Sequence, residues 1–165
     1  MTVPSDAYLA GLFDGEGCIG VYPQRDNRDG GMRYALQMNI ANTNLPALQS
    51  IREHYGGEII LMNPVGSGHD RNRNYAKPAY RLRFSYAEAE QIIGRIRPLC
   101  LIKARELEFA QWYLLTSKLG KYWRGPRGTR MPSGIRMIRD GIVSAIRSEK
   151  HRPYEAEMAG RWAIK

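Results

Sequence analysis

Apolar positions recur with a helical period in five stretches of the chain and with a strand period in four. Ser5 is a good N-cap, and Leu9, Leu12 and Phe13 follow at helical spacing, predicting a first helix to about Asp14. A strand from about Cys18 to Gln24 and another from about Met32 to Ala41 flank Asp29-Gly30-Gly31, which reads as a hairpin with a long loop. Leu45, Leu48, Ile51 and Tyr55 mark a second helix, stopped by Gly56-Gly57. A third strand starts near Glu58. The fourth, Tyr80 to Phe84, alternates apolar and basic, so Arg81 and Arg83 share one face and Tyr80, Leu82 and Phe84 the other. Ser85 and Glu88 form a capping box for a helix carrying Ala89, Ile92, Ile93 and Ile96. Pro98 ends it. A further helix is expected from about Leu101 to Leu119, and a last one through Ile135, Ile138, Ile142 and Ile146. Hairpins alternating with helices predict an α+β domain: an αββαββα core with one antiparallel four-stranded sheet, plus C-terminal helices.

Composition narrows the function. The chain has 165 residues, enough for one domain, expected over 1–152 with a loose tail at 153–165. No apolar run reaches the roughly 20 residues of a membrane helix, and the N-terminus shows no signal peptide, so no membrane partner and an intracellular location are expected, in a bacterial or archaeal cytoplasm or an organelle interior. Lys and Arg total 25 against 16 acids, a net charge of +9, which favours a polyanionic partner. From Lys118 to Arg139 there are seven basic residues and no acid. Cys18 and Cys100 are too few for a disulfide framework or a zinc site and read as small packing residues. His54, His69 and His151 lack metal-ligand spacing.

The most informative segment is LAGLFDGEG, Leu9 to Gly17. Gly11 inside a helix costs about 1 kcal/mol relative to alanine, which is understandable if another backbone must approach closely. Asp14 and Glu16 place carboxylates at a helix C-terminus, where the dipole disfavours them. On residues alone this is either a helix stop with solvated acids or a cation site. An EF-hand is excluded, because Arg25 stands where the closing glutamate would be.

The segment resembles the signature of the LAGLIDADG family of homing endonucleases and maturases. Leu9, Ala10, Gly11, Leu12, Asp14 and Gly17 match, Phe13 replaces isoleucine, Gly15 stands where alanine or glycine is usual, and Glu16 replaces the second aspartate. The order of elements over about 5–119 is similar too. The resemblance implies a metal-dependent, site-specific DNA endonuclease. It implies that Glu16 and the Gly15 carbonyl bind the divalent metal, with Mg²⁺ as cofactor, Ca²⁺ binding without supporting cleavage, and Mn²⁺ as a substitute. Pro98 to Arg105 resembles the family segment that brings a lysine into the active site, here Lys103; Asn42, at the end of the second strand, falls where the family places a water-positioning side chain. One motif per chain implies a homodimer, with Leu9, Gly11, Leu12 and Asp14 at or bracing the interface.

Double-stranded DNA would then lie against the sheet, since a two-stranded ribbon fits the major groove. Alternation gives Tyr22 and Gln24 on the first strand, Arg33, Gln37 and Asn39 on the second, and Arg81 and Arg83 on the fourth. Arg25, Asn27, Arg28, Arg71 and Arg73 would reach further along the duplex; Lys118, Lys121, Arg124, Arg127 and Arg130 would contact phosphates. Strand reach at about 3.3 Å per residue gives a dimer a site of roughly 16–24 base pairs. The competing readings are an intron RNA maturase and a non-catalytic DNA-binding regulator on the same scaffold.

Overall fold

The computed structural model describes residues 3–25, 32–62, 78–122 and 133–150. Helix α1 spans Asp6–Glu16, and strands β1 (Gly17–Arg25) and β2 (Met32–Asn42) follow. Helix α2 is Leu45–Tyr55, β3 is Glu58–Leu61 and β4 is Tyr80–Phe84. Helix α3 is Tyr86–Ile96; a 3-10 turn at Arg97–Leu99 leads to α4 (Ala104–Tyr122), and α5 is Ser133–Lys150. The four strands form one antiparallel sheet in the order β1-β2-β4-β3, so the architecture is α+β.

Local chemistry sets these boundaries. The Ser5 hydroxyl accepts the Tyr8 N–H at the start of α1. Gly56 and Gly57 adopt φ of 81° and 102°, a left-handed geometry that lets α2 stop and β3 begin at once. The capping box at Ser85 and Glu88 forms, and the second Glu88 carboxylate oxygen takes the Gly57 N–H at 2.9 Å, joining the end of α2 to the start of α3. Gly17 passes against Phe13, whose ring occupies the space a Cβ would need.

The sheet has two unlike faces. Ile19, Val21, Leu36, Met38, Ile40, Leu82 and Phe84 are buried on one. They pack with Leu9, Ala10 and Phe13 of α1, Leu48 and Ile51 of α2, Ile92, Ile93 and Ile96 of α3 and Leu107 and Ala110 of α4. From α5, Ile142, Val143 and Ile146 are buried, whereas Ile138 is exposed: the apolar stripe of that helix is narrower than its isoleucine spacing implies. Strand alternation turns the intervening residues to the opposite face. One row there runs across all four strands through the paired positions Cys18, Asn39, Arg83 and Glu58. Among the described residues no helix is long and apolar enough to cross a membrane.

Candidate nuclease site

The motif segment forms the last turns of α1 and the entry to β1. Helix α1 runs two residues further than its apolar spacing predicts, so Glu16 is its final residue and Gly17 its C-cap. Glu16 is exposed, two residues before Cys18 on the polar face of the sheet.

Two acidic and basic side chains lock this end of α1 to the start of α4. The Asp14 carboxylate accepts the backbone N–H groups of Leu101 (2.6 Å), Ile102 (3.2 Å) and Lys103 (2.9 Å). It therefore supplies the N-terminal cap of α4 from 87 or more residues away in sequence. Conversely, the Lys103 Nζ donates to the Phe13 carbonyl at 3.0 Å and the Asp14 carbonyl at 2.5 Å, placing a cation on the negative end of α1. Burial pushes the Asp14 pKa up, but the N–H bonds from Lys103, Leu101 and Ile102 and the Cys100 thiol more than offset it, leaving the carboxyl below its ordinary value. Burial, then the nearby Asp14 charge, push the Cys100 thiol up to about 12. Cys100 is thus the inert packing residue its sequence context implies. Cys18 differs: it is partly exposed on the polar face.

Asn42 closes β2, where alternation puts it on the side of Met38 and Ile40, opposite Asn39. Its amide oxygen accepts the Asn44 N–H at 2.8 Å, leading the chain into α2. The interface residues divide. Leu9 has no exposure and belongs to the protomer's own core, and Asp14 is bonded within the protomer to the start of α4. Leu9 is therefore not part of the protomer's surface, while Asp14 braces the end of α1 from within the protomer. Gly11 and Gly15 are exposed with open space where a Cβ would stand, and Leu12 is half-buried beside them.

The register brings Cys18 opposite Asn39, Gly20 opposite Gln37, Tyr22 opposite Ala35 and Gln24 opposite Arg33. Asn39 lies opposite Arg83, and Ala41 opposite Arg81. Tyr22, Arg81 and Arg83 are exposed, and Gln37 and Asn39 half-buried. Arg83 is not a free cation: its guanidinium meets Glu58 of β3 at 2.6 Å. Lys118 is paired with Glu90 of α3, so its acid-free sequence neighbourhood is not acid-free in space. Gln24, Arg25, Arg33 and Lys121 contribute their backbone positions in β1, β2 and α4. Asn27, Arg28, Arg71, Arg73, Arg124, Arg127 and Arg130 lie outside the described residues.

Two residues not foreseen adjoin the site. Glu106, in the first turn of α4, has its pKa raised by burial and further by Glu149, against the opposing charges of Lys150 and Lys103. Lys150, the last residue of α5, brings its ammonium to 3.4 Å from the Cys18 sulfur. No spacing rule joins position 150 to position 18; only the packing of α5 beside β1 does. Among the described residues no group of three or more His, Cys, Asp or Glu could hold a metal. A cation at Glu16 would thus draw further oxygen ligands from water, phosphate or a second protomer.

Residues 9–123 match the LAGLIDADG endonuclease family, and the chain belongs to it. No curated protein matches it. Among solved structures it is similar to the homing endonuclease I-TnaI, at 15% identity and a TM-score of 0.61, over 89% of this chain and 96% of that one. It is similar to the homing endonuclease I-CvuI at 14% identity and a TM-score of 0.52, over 83% of this chain and 93% of that one, in a structure with a DNA target and Mg that reveals uncleaved DNA. A third likeness, to the LAGLIDADG homing endonuclease I-GzeII in complex with its DNA target, has 15% identity and a TM-score of 0.61 and covers 84% of this chain but 43% of that one. Family membership supports a DNA-binding endonuclease role.

Proposed function

We propose that the protein is a homodimeric homing endonuclease that hydrolyses both strands of a long, pseudo-two-fold DNA site with the help of Mg²⁺. One observation carries this reading: the exposed Glu16 ends α1 where the chain enters the sheet, and the Lys103 ammonium is bonded to the Phe13 and Asp14 carbonyls in the same end of that helix. Glu16 and the Gly15 carbonyl would hold the divalent ion, which when bound acidifies water and neutralises charge on the scissile phosphate. Lys103 stabilises negative charge developing on the phosphate, and its hydrogen bonds to α1 keep it oriented before substrate arrives. Asp14 fixes the backbone that carries Lys103. Arg81, Gln37 and Asn39 present donors and acceptors suited to base edges, with Arg83 joining them once released from Glu58.

The exposed small-residue face of α1 supports the dimer, since among the described residues nothing stands against Gly11 or Gly15 where a Cβ would be. So does the pair of size relations, one relative matched nearly end to end and another matched over less than half its length.

The decisive experiment incubates the protein with Mg²⁺ and a library of long duplexes, and compares Glu16→Gln. This variant keeps the shape but removes the charge a hard cation requires. Cutting should collapse, while duplex affinity measured in Ca²⁺ stays within a few fold. Full cleavage by Glu16→Gln would remove the assignment. Duplex binding without cleavage by the parent protein would favour a DNA-binding regulator, and preference for a structured intron RNA a maturase.

A further inference from the structure

The residue least expected at the site is Lys150, and its surroundings are unusual for a lysine. Helix α5 packs beside the edge strand β1 through Ile142, Val143 and Ile146. That packing carries the end of the helix to the polar face of the sheet. There the ammonium lies 3.4 Å from the Cys18 sulfur and 5.9 Å from the centre of the Tyr22 ring. Cys18 and Tyr22 share the alternation face of Gln37, Asn39, Arg81 and Arg83, and Cys18 is two residues from Glu16.

An ammonium has three donors, and a thiol is a weak acceptor. Among the described residues Cys18 is the hydrogen-bond acceptor of Lys150, and it leaves most of the donor capacity of this half-buried ammonium unmatched there. The charge persists nonetheless: burial draws the Lys150 pKa down, but Cys18, Tyr22 and Glu106 more than reverse this. A strong anionic acceptor with several oxygens completes such a site, and a backbone phosphate is one.

We propose that Lys150, delivered by α5 over the edge of β1, is a DNA-phosphate contact at the catalytic end of the polar face. This rests on the reading of the sheet face as the DNA-binding surface. It gives α5 a role beyond covering the core: the helix carries a cation to within two residues of the motif acid in the same protomer.

The test measures binding of the full chain to an arbitrary duplex of about 40 base pairs, in Ca²⁺, across a salt series, because phosphate contacts are sequence-independent. Lys150→Gln should reduce the magnitude of the salt slope by about one unit per subunit, and Lys150→Arg should restore it. Arg52→Gln, an exposed charge on α2 behind the sheet, is the control for net charge. A slope for Lys150→Gln no different from that for Arg52→Gln overturns the proposal. Should Lys150→Gln fail to fold, Lys150→Met, which keeps the length of the apolar stem, decides by the same comparison: a slope no different from that for Arg52→Gln overturns the proposal. A parent protein that binds no duplex at any salt would instead overturn the functional reading, and the proposal with it.

Discussion

Asp14 shows how one side chain carries consequences for both stability and chemistry. Its carboxylate accepts three successive backbone N–H groups, so it replaces the local N-cap that α4 lacks. Its folded-state pKa lies below the ordinary 3.8, so the folded form binds its proton less readily than the unfolded chain. The stabilisation is therefore complete above the unfolded value and is lost as pH falls through the folded one. Asp6, lowered by its hydrogen bonds to Tyr55 and Arg95, and Glu88, lowered mainly by the Ser85 N–H, act in the same sense. Asp14→Asn should destabilise the protein by about 1–2 kcal/mol at pH 7, the range for loss of a helix cap. Urea denaturation at pH 7 and near pH 3 checks this. The gap between parent and variant should shrink in acid, and an unchanged gap would mean that the charge of Asp14 is immaterial.

At the scale of elements, periodicity and caps carry most of the information. The hairpin, the Gly56-Gly57 stop, the capping box at Ser85 and the strict alternation of β4 all occur where the pattern places them, because each is fixed by residues within a few positions. What stays illegible is whatever is settled across long separations. Helix α4 begins at Ala104 rather than Leu101 because the intervening N–H groups bond to Asp14 instead of to a helical turn. The Glu58–Arg83 and Glu90–Lys118 pairs likewise need the sheet and helix packing to exist first. Resemblance singles out Glu16 and Lys103, which the fold brings to the same end of α1, whereas Glu106 and Lys150 carry no motif at all. Glu88 joins the two regimes, since one oxygen serves its own capping box and the other Gly57, 31 residues away. Glu88→Ala should accordingly destabilise by about 1–2 kcal/mol, more than Ser85→Ala, whose hydroxyl bond is long at 3.4 Å. Thermal denaturation of the two variants compares them, and equal shifts would mean that the bond to Gly57 contributes nothing.

For the whole molecule, the decisive surface is the outward face of α1. Ala7, Tyr8, Gly11 and Gly15 are exposed, and Leu101 and Ile102, whose backbones Asp14 holds at the end of the same helix, are 78% and 71% exposed. Nothing among the described residues requires Gly11 to be glycine, because a Cβ there meets no atom of them within 4 Å. A mid-helix glycine nevertheless costs about 1 kcal/mol against alanine, so the protomer alone gains nothing by keeping it. In the proposed homodimer, close approach of a second α1 about a two-fold axis would supply a reason and would cover the apolar side chains around it. This separates protomer stability from assembly. Gly11→Leu should leave the fold intact, because the space is open, yet push two helices apart and dissociate the dimer. A dimer's melting temperature rises with protein concentration, since association stabilises only the folded chains. The parent protein should show that dependence and sediment as a dimer at micromolar concentration, whereas Gly11→Leu should sediment as a monomer with a concentration-independent melting temperature. Gly11→Ala should fall between them, weakening the dimer while the isolated protomer gains up to about 1 kcal/mol. A parent chain that sediments at 18.8 kDa even with DNA bound would show that this face does not pair.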